Sequence, residues 1–204
     1  MELVPSLALA GSLAWASGLR LYAVVFMAGM LGRFELLQLP EALRILEHSW
    51  VLLTAGLLLT IEFFADKVPA VDTLWDSIHT FIRIPAGALL AALAMGGHDP
   101  ALMVVAGLLG GTLTAGTHAF KAGSRTLVNT SPEPFSNIGV SLGEDVLVAS
   151  GLLTAIYHPI IFLVLLVVFI GLLIWLLPKL WRGIRLVFAR VFGQQAAPAK
   201  VDKP

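Results

Sequence analysis

The feature that most constrains this chain is a series of uncharged stretches long enough to cross a lipid bilayer. No charged residue occurs in 3–19, 101–117 or 159–177. An apolar run of about 18 residues or more is typical of a membrane-spanning helix. Of the 204 residues, 58% are hydrophobic and 13% are charged, whereas soluble domains have about 45–50% and about 25%. The sequence therefore predicts an all-α integral membrane protein without a soluble domain of its own.

The residues that separate these stretches predict about six transmembrane helices in a compact bundle. Prolines, glycines and charged residues mark their ends. Ser49 is the expected N-cap of the second helix, and Pro85 is expected to kink or break the third. Residues 33–48 are expected to lie partly along the lipid headgroups. The predicted helices are approximately 6–32, 49–66, 70–96, 101–128, 136–157 and 159–177.

The C-terminal segment differs from the rest because basic residues are concentrated there. We expect a transmembrane domain over 1–178, a basic amphipathic helix on anionic lipid headgroups over 179–193, and a disordered tail over 194–204. Six spans and the positive-inside rule place both termini in the cytoplasm. Three helices per half would orient the two halves oppositely, as in transporters built from inverted repeats. The direct match between the halves is poor, so the repeat stays an open alternative.

Polar side chains inside the predicted helices form the candidate site. An arginine or aspartate at the centre of a membrane helix costs about 2.5–3.5 kcal/mol to insert, so such residues indicate either function or structural ion pairs. Lys67 and Arg125 could instead lie at helix ends in the headgroups. The candidates are Arg20, Glu62, Asp66, Asp72, Asp76, His79, Arg83, His118, Lys121, Arg125, Asn137, Glu144 and Asp145.

Three of these residues suggest specific behaviour. Arg20 has apolar sequence on both sides and is predicted to lie near the middle of the bilayer, paired with Glu62 or Glu144. Glu62 and Asp66 are four residues apart and share a helical face. Two carboxylates this close require a bound proton or a cation between them, or neutralisation by Lys67 and the headgroups.

Three helices carry polar stripes at helical spacing. The stripe on the third helix consists of Asp72, Asp76, His79 and Arg83, and its first three members could bind a divalent cation; a salt-bridged stripe is the alternative. A basic stripe of His118, Lys121 and Arg125 follows on the fourth helix. An acidic stripe with Asn137, Ser141, Glu144 and Asp145 follows on the fifth. Paired inside one bundle, these stripes would form a nearly neutral polar interior for a small polar ligand or ion.

Several strings resemble a known family. The resemblance rests on GLRLYA, EFFADKVPAVDTLWD, IRIPAGA, HAFKAGSR, and NTSPEPFSN followed by GED. These are similar to the bacterial membrane-protein family described as domain of unknown function 4126. The resemblance covers about 12–153 and implies a multi-spanning, inner-membrane protein of bacteria. It implies no activity, catalytic residue or cofactor.

Three functions are compatible with these patterns. The first is a small secondary transporter, coupled to protons or cations, and the second is an intramembrane enzyme acting on a phosphate-bearing lipid headgroup. In the second, Arg83, Lys121 and Arg125 would bind phosphate, and Asp72, Asp76 or Glu144 would act as acid or base. The third is a structural assembly partner whose charges only pair. A net charge of zero gives no indication of nucleic-acid binding, and the sequence does not set a substrate, cofactor or oligomeric state.

Overall fold

The computed structural model describes residues 2–128 and 134–193, with side chains described except at 69, 70, 134 and 186–193. Six long helices and one short 3₁₀ helix make up its regular structure. They are α1 (Leu3–Arg33), the 3₁₀ helix (Glu41–Glu47), α2 (Ser49–Ala65), α3 (Pro69–Ala94), α4 (Pro100–Val128), α5 (Pro134–Tyr157) and α6 (Pro159–Gly193). The turn predicted over 129–133 and the tail over 194–204 lie outside the described residues.

The prediction of a helical membrane protein is confirmed. Five helices are long and apolar enough to cross a membrane, and a sixth span results if the 3₁₀ helix and α2, bent by 64° at His48, count as one broken span. The cap of α2 differs from the prediction, because the side chain of His48 accepts a hydrogen bond from the Trp50 amide. Pro69 occupies the first turn of α3, where its missing N–H leaves no donor unsatisfied.

The main departure from the predicted fold is a break inside α1. Arg20 has φ −145° and ψ 75°, outside the helical region, between two helical segments. Before the break, Ser6 hydrogen-bonds to His98 just beyond the end of α3. After it, Gly29 packs on Leu46 of the 3₁₀ helix, whose Ala42 lies against Gly96, again beyond the end of α3. The two halves of α1 therefore run towards the same end of the bundle and form a helical hairpin with Arg20 at its tip.

The hairpin changes the expected topology. Ser6 and His98 lie at one end of the bundle, where α4 begins. α6 runs alongside α4 in the same direction, since Leu173 packs near Gly116 and Leu180 near Gly123. The start of α1 and the described end of α6 thus lie at opposite ends of the bundle. We call these two ends the N-terminal end and the C-terminal end.

Two prolines lie inside helices and do not end them. α3 continues through Pro85, and α6 continues through Pro178 to Gly193 as one helix, so no separate helix begins at 179. The inverted repeat also lacks a matching element: α1 is broken at Arg20, whereas α4, its counterpart in the second half, is one helix over Pro100–Val128.

Small residues pack the half of the bundle nearer the N-terminal end, which we call the N-terminal half. The Thr114 hydroxyl on α4 donates to the carbonyl of Ala14 on α1. A methyl group at Gly18 would lie 2.7 Å from the Thr114 carbonyl oxygen, and one at Gly87 would collide with the Thr114 side chain. Glycines allow this close approach of backbones, which drives helix association in lipid. The tip of the α1 hairpin is thereby held against α4.

Candidate functional site

A group of buried charged and polar side chains lies where the α1 hairpin ends, and we call it the charged cluster. Side chains from α3, α4, α5 and the end of α2 converge on Arg20 there. Eight members are at most 2% exposed, and six of these are Arg20, Glu62, Asp66, Arg83, Lys121 and Arg125. The remaining members are Asp72, Asp76, His118, Asn137, Glu144 and Asp145.

Arg20 forms ion pairs with acids from two other helices. Its Nη1 lies 2.8 Å from Asp66 Oδ2, and its Nε lies 3.1 Å from Asp145 Oδ1 and 3.8 Å from Glu144 Oε2. Its Nη2 donates to the hydroxyl and carbonyl oxygens of Ser141, at 2.8 and 3.1 Å. The predicted burial and acidic pairing of Arg20 are confirmed. Glu62 was the wrong partner, because it pairs with Arg83 instead.

Asp66 is the most connected acid of the charged cluster. Besides Arg20, it contacts Lys121 Nζ at 3.2 Å and Arg125 Nη2 at 3.5 Å, all through Oδ2. Lys121 also donates to the carbonyl oxygen of Leu19 at 3.0 Å. A helix break leaves backbone carbonyls without their usual partners, so Lys121 stabilises both the break and the acid beside it.

Arg125 joins α4 to α5. Its Nη2 lies 2.9 Å from Glu144 Oε2, and its Nε donates to Glu144 Oε1 at 3.2 Å. This two-point pairing of a guanidinium with a carboxylate is the strong form of the interaction. Nη1 donates to the Asn137 side-chain oxygen. Arg125 is therefore a buried member of the charged cluster, with its guanidinium paired inside the bundle.

Arg83 organises the part of the charged cluster nearer the N-terminal end. It forms ion pairs with Glu62 and, at 2.7 Å, with Asp76. Its Nη1 lies 3.2 Å from His118 Nδ1, and His118 Nε2 lies 2.6 Å from the Thr80 hydroxyl. Because a guanidinium can only donate, we assign Nδ1 as an acceptor and place the ring proton on Nε2. His118 is then neutral and donates to Thr80.

The expectation for Glu62 and Asp66 is corrected by this geometry. Each has its own cationic partners: Arg83 for Glu62, and Arg20, Lys121 and Arg125 for Asp66. No proton or cation between the two carboxylates is needed to keep both ionised. Lys67 stands apart, donating to the Phe63 carbonyl with its ammonium over the Phe63 ring. Burial and the nearby Arg20 lower the pKa of Lys67.

His79 and the suggested metal site are not part of this network. The His79 ring stacks on Trp75 with 3.9 Å between ring centroids, and its Nδ1 bonds to the Trp75 carbonyl. The Tyr22 ring packs edge-on against the His79 ring. Among the described residues, no group of three or more histidines, aspartates or glutamates could hold a metal ion. Asp72, Asp76 and His79 therefore do not assemble the predicted divalent-cation site.

A polar cavity of about 140 Å³ borders the charged cluster between α3 and α4. The charged cluster contributes Asp72, Asp76, His118 and Arg125 to its walls. The other walls are formed by small or hydroxyl-bearing residues: Thr73, Ser77, Thr80, Ala122 and Thr126.

The charged cluster lies towards the C-terminal end of the bundle and not at its middle. The uncharged run of α6 ends at Leu177, and Leu180, three residues further on, packs near Gly123 of α4. Lys121 and Arg125 flank Gly123. The charged cluster therefore begins at the depth where α6 acquires its first cations and reaches inwards to Arg83. The mid-bilayer position predicted for Arg20 assumed a straight α1.

Sequence reasoning missed one residue that bonds directly to the charged cluster. Thr80 contacts His118, although threonine in a helix more often bonds its own backbone, as Thr80 also does with the Asp76 carbonyl. Its position four residues after Asp76, on the polar face of α3, was the available signal.

The fold and these contacts define a class: a multi-spanning helical membrane protein with a buried ion-pair network at one end of its bundle. The sequence pattern of the family described as Domain of unknown function (DUF4126) matches residues 7–179. The chain belongs to this family. No curated protein and no solved structure matches it.

Proposed function

We propose that the protein is a small membrane transporter whose charged cluster binds a proton or a monovalent cation during transport. The balance of buried charge supports this proposal most directly. Five carboxyl groups (Glu62, Asp66, Asp72, Asp76 and Glu144) and four cations (Arg20, Arg83, Lys121 and Arg125) are each at most 7% exposed. With His118 neutral and all other groups ionised, these five acids face four cations, and the more exposed Asp145 beside Arg20 adds a sixth acid. The described residues of the charged cluster therefore carry an excess of negative charge. An uncompensated charge in a low-dielectric site is costly, so a bound proton or monovalent cation would offset part of this excess.

The pairing of the cations argues for this ligand over an anionic one. Each of the four buried cations already lies within 4.0 Å of at least one carboxylate. A phosphate-bearing headgroup would have to displace these acids. The basic stripe on α4 therefore serves as counter-charge, which favours cation-coupled transport over the lipid-headgroup enzyme.

The proposal can be tested by flux into liposomes containing the purified protein. Gradients of pH, sodium and potassium would be imposed separately, with internal dyes that report each ion. We expect flux with one of these gradients, absent from empty liposomes. Neutralising Asp76 (Asp76→Asn) should abolish it, whereas Asp99→Asn, at an exposed acid outside the charged cluster, should not. A folded, monodisperse parent protein without flux of any of the three ions would favour the structural alternative.

We also propose that the protein resides in the bacterial inner membrane with its C-terminal end in the cytoplasm. The basic residues Lys179, Arg182 and Arg185 follow the apolar part of α6, and cytoplasmic flanks carry such residues. Because the start of α1 and the described end of α6 lie at opposite ends of the bundle, this proposal puts the N-terminus on the other side of the membrane. Reporter fusions at the N-terminus and at Gly97 should agree with each other and differ from a fusion at Gln194. Reporters on one side at both termini would overturn this topology.

The last part of α6 is proposed to contact anionic headgroups over 179–193, beyond a transmembrane domain at 1–178. The Lys179 ammonium lies 3.1 Å from the centre of the Trp175 ring, and Arg185 lies 5.4 Å from that of Trp181. Tryptophans and basic residues favour the interface between membrane and water. Replacing Lys179, Arg182 and Arg185 together by glutamine should weaken co-purification of anionic lipids, which lipid extraction would measure.

A further inference from the structure

We propose that the cavity between α3 and α4 is a water-filled vestibule through which a proton or a hydrated monovalent cation reaches the charged cluster from the C-terminal end. This inference rests on the proposed function for its ligand, but not for the vestibule itself. A volume of about 140 Å³ corresponds to about four or five waters at about 30 Å³ each.

The walls of the cavity suit water and small cations. Ser77 and Thr126 donate their hydroxyl protons to backbone carbonyls one turn earlier, Thr73 and Ala122, at 2.7 and 2.8 Å. Their oxygen lone pairs therefore remain able to accept hydrogen bonds or contact a cation. Ser77 is exposed at the mouth and Asp76 is 5% exposed, so the lining passes from exposed hydroxyl groups to buried charge.

The surroundings of the cavity indicate which end supplies the water. Towards the C-terminal end, the cavity extends to Asp72, in the first turn of α3. Towards the N-terminal end, Gly87 of α3 packs against the side chain of Thr114 on α4 without room for a methyl group. Access from that end would therefore require α3 and α4 to separate, whereas the described part of the cavity already reaches the turn at which α3 begins.

Polar atoms deeper in the charged cluster support the same conclusion. Asp66 Oδ1, Glu62 Oε2 and Asn137 Nδ2 are buried and have no hydrogen-bond partner among the described residues. Buried polar groups normally have a partner, often an ordered water. Arg125 lines the cavity and contacts both Asp66 and Asn137, so water entering here could reach those residues.

Cysteine labelling tests the vestibule without relying on transport. The chain contains no cysteine, so Ser77→Cys and Thr126→Cys each introduce a single thiol into the cavity wall. Ile78→Cys is the matched control, because Ile78 is 54% exposed on α3 but does not line the cavity. Only a thiolate reacts with water-soluble thiol reagents, and a thiol facing lipid does not ionise readily. The readout is the rate of reaction with a membrane-impermeant thiol reagent in sealed vesicles of known orientation.

We expect both cavity thiols to react from the C-terminal side at least about tenfold faster than Ile78→Cys. Equal rates at all three positions, or reaction from the N-terminal side only, would overturn the vestibule.

A blocking variant connects the vestibule to transport. Ala122→Phe places a large side chain in the cavity wall without changing a charge, and Ala119→Phe places the same side chain at an exposed position one turn earlier. We expect Ala122→Phe to abolish labelling at Ser77→Cys and to reduce ion flux, with Ala119→Phe matching the parent in both. Labelling as predicted in a parent protein without flux would reject the transporter and retain the vestibule. Flux that persists in a folded Ala122→Phe protein would reject the vestibule as the route.

Discussion

The two halves of the helix bundle are closed by different interactions. In the N-terminal half, α1, α3 and α4 approach through small residues such as Ala14, Gly18, Gly87 and Gly110. In the C-terminal half, the ion pairs of the charged cluster join α1 to α5 and to the end of α2, and they join α4 to α3 and to α5. Small residues that pack closely can be inserted into lipid without a free-energy cost, whereas each buried charge carries such a cost. The expensive arrangement is confined to one end, which favours a functional role there.

The two halves should also differ in how they tolerate change. At Gly18 the packed half has no room for a methyl group, which would meet the Thr114 backbone. In the C-terminal half, which contains the charged cluster, most charged side chains have more than one partner. Asp66 contacts three cations, and Arg83 contacts two acids. Removing one acid leaves its cations paired, but removing a central cation leaves several acids undercompensated.

The largest effect is expected from Arg20→Leu. The change removes the cation at the tip of the α1 hairpin and its bonds to Ser141. It takes the ion-pair partner of Asp145 away and leaves Asp66 with only Lys121 and Arg125. Breaking a buried ion pair by removing one member costs about 3–5 kcal/mol of unfolding free energy. Thermal unfolding in detergent would measure the loss. Arg33→Leu is the control, since Arg33 is exposed on the same helix and should contribute less than about 1 kcal/mol. Equal melting temperatures for Arg20→Leu and the parent would contradict this assignment.

A smaller but clear loss is expected from Gly18→Ala in the packed half. Its methyl group would lie 2.7 Å from the Thr114 carbonyl oxygen and 2.9 Å from the His118 amide nitrogen, so the two helices must separate. Overpacking of this kind costs about 1–3 kcal/mol. Gly143→Ala is the matched control, because a methyl group there meets nothing within 4 Å. Equal unfolding free energies for the two variants would show that α1 and α4 can separate freely.

These two halves were not equally predictable from sequence. The membrane helices and most residues of the charged cluster could be predicted from sequence. Charged residues at helical spacing within apolar runs normally face the interior of the bundle and pair there. Twelve of the thirteen candidate positions join the charged cluster or its cavity. His79 does not, because polar spacing alone cannot distinguish a charge partner from a ring stacked on Trp75.

The hairpin could not be predicted from the same patterns. The segment around Arg20, SGLRLYA, has no proline, and its one glycine also suits an unbroken membrane helix. The break depends on distant partners: Lys121 for the Leu19 carbonyl, and Asp66 and Ser141 for the Arg20 side chain. Pro85 and Pro178 show that a local signal alone does not end a helix, since α3 and α6 continue through them. The acid that pairs with Arg20 could not be predicted either, because the pairing depends on contacts between helices across the bundle.

The third-largest effect on stability is expected from two variants that separate function from stability in the charged cluster. Glu62→Gln and Asp76→Asn keep shape and remove one charge each, and in either variant Arg83 retains its other acid. We expect a loss of about 1 kcal/mol in unfolding free energy, the value of one hydrogen bond, together with loss of ion flux. Stability and flux should be measured on the same purified samples. If both variants unfold, or if both remain active, coupled transport should be abandoned for the structural alternative.

The smallest effect is expected from Thr80→Val, which tests how the charged cluster holds its histidine. The change keeps the shape of the side chain and removes the hydroxyl that lies 2.6 Å from His118 Nε2. Nitrogen Nδ1 still faces Arg83, so Nε2–H loses its acceptor, at a cost of about 0.5–1.5 kcal/mol. Thr112→Val is the matched control, because the exposed Thr112 makes the same bond to the carbonyl one turn earlier, that of Leu108, and touches no charge. Imidazole nitrogen resonances would show whether the proton on Nε2 shifts in Thr80→Val alone. Identical spectra and identical melting temperatures in the two valine variants would mean that Thr80 does not orient His118.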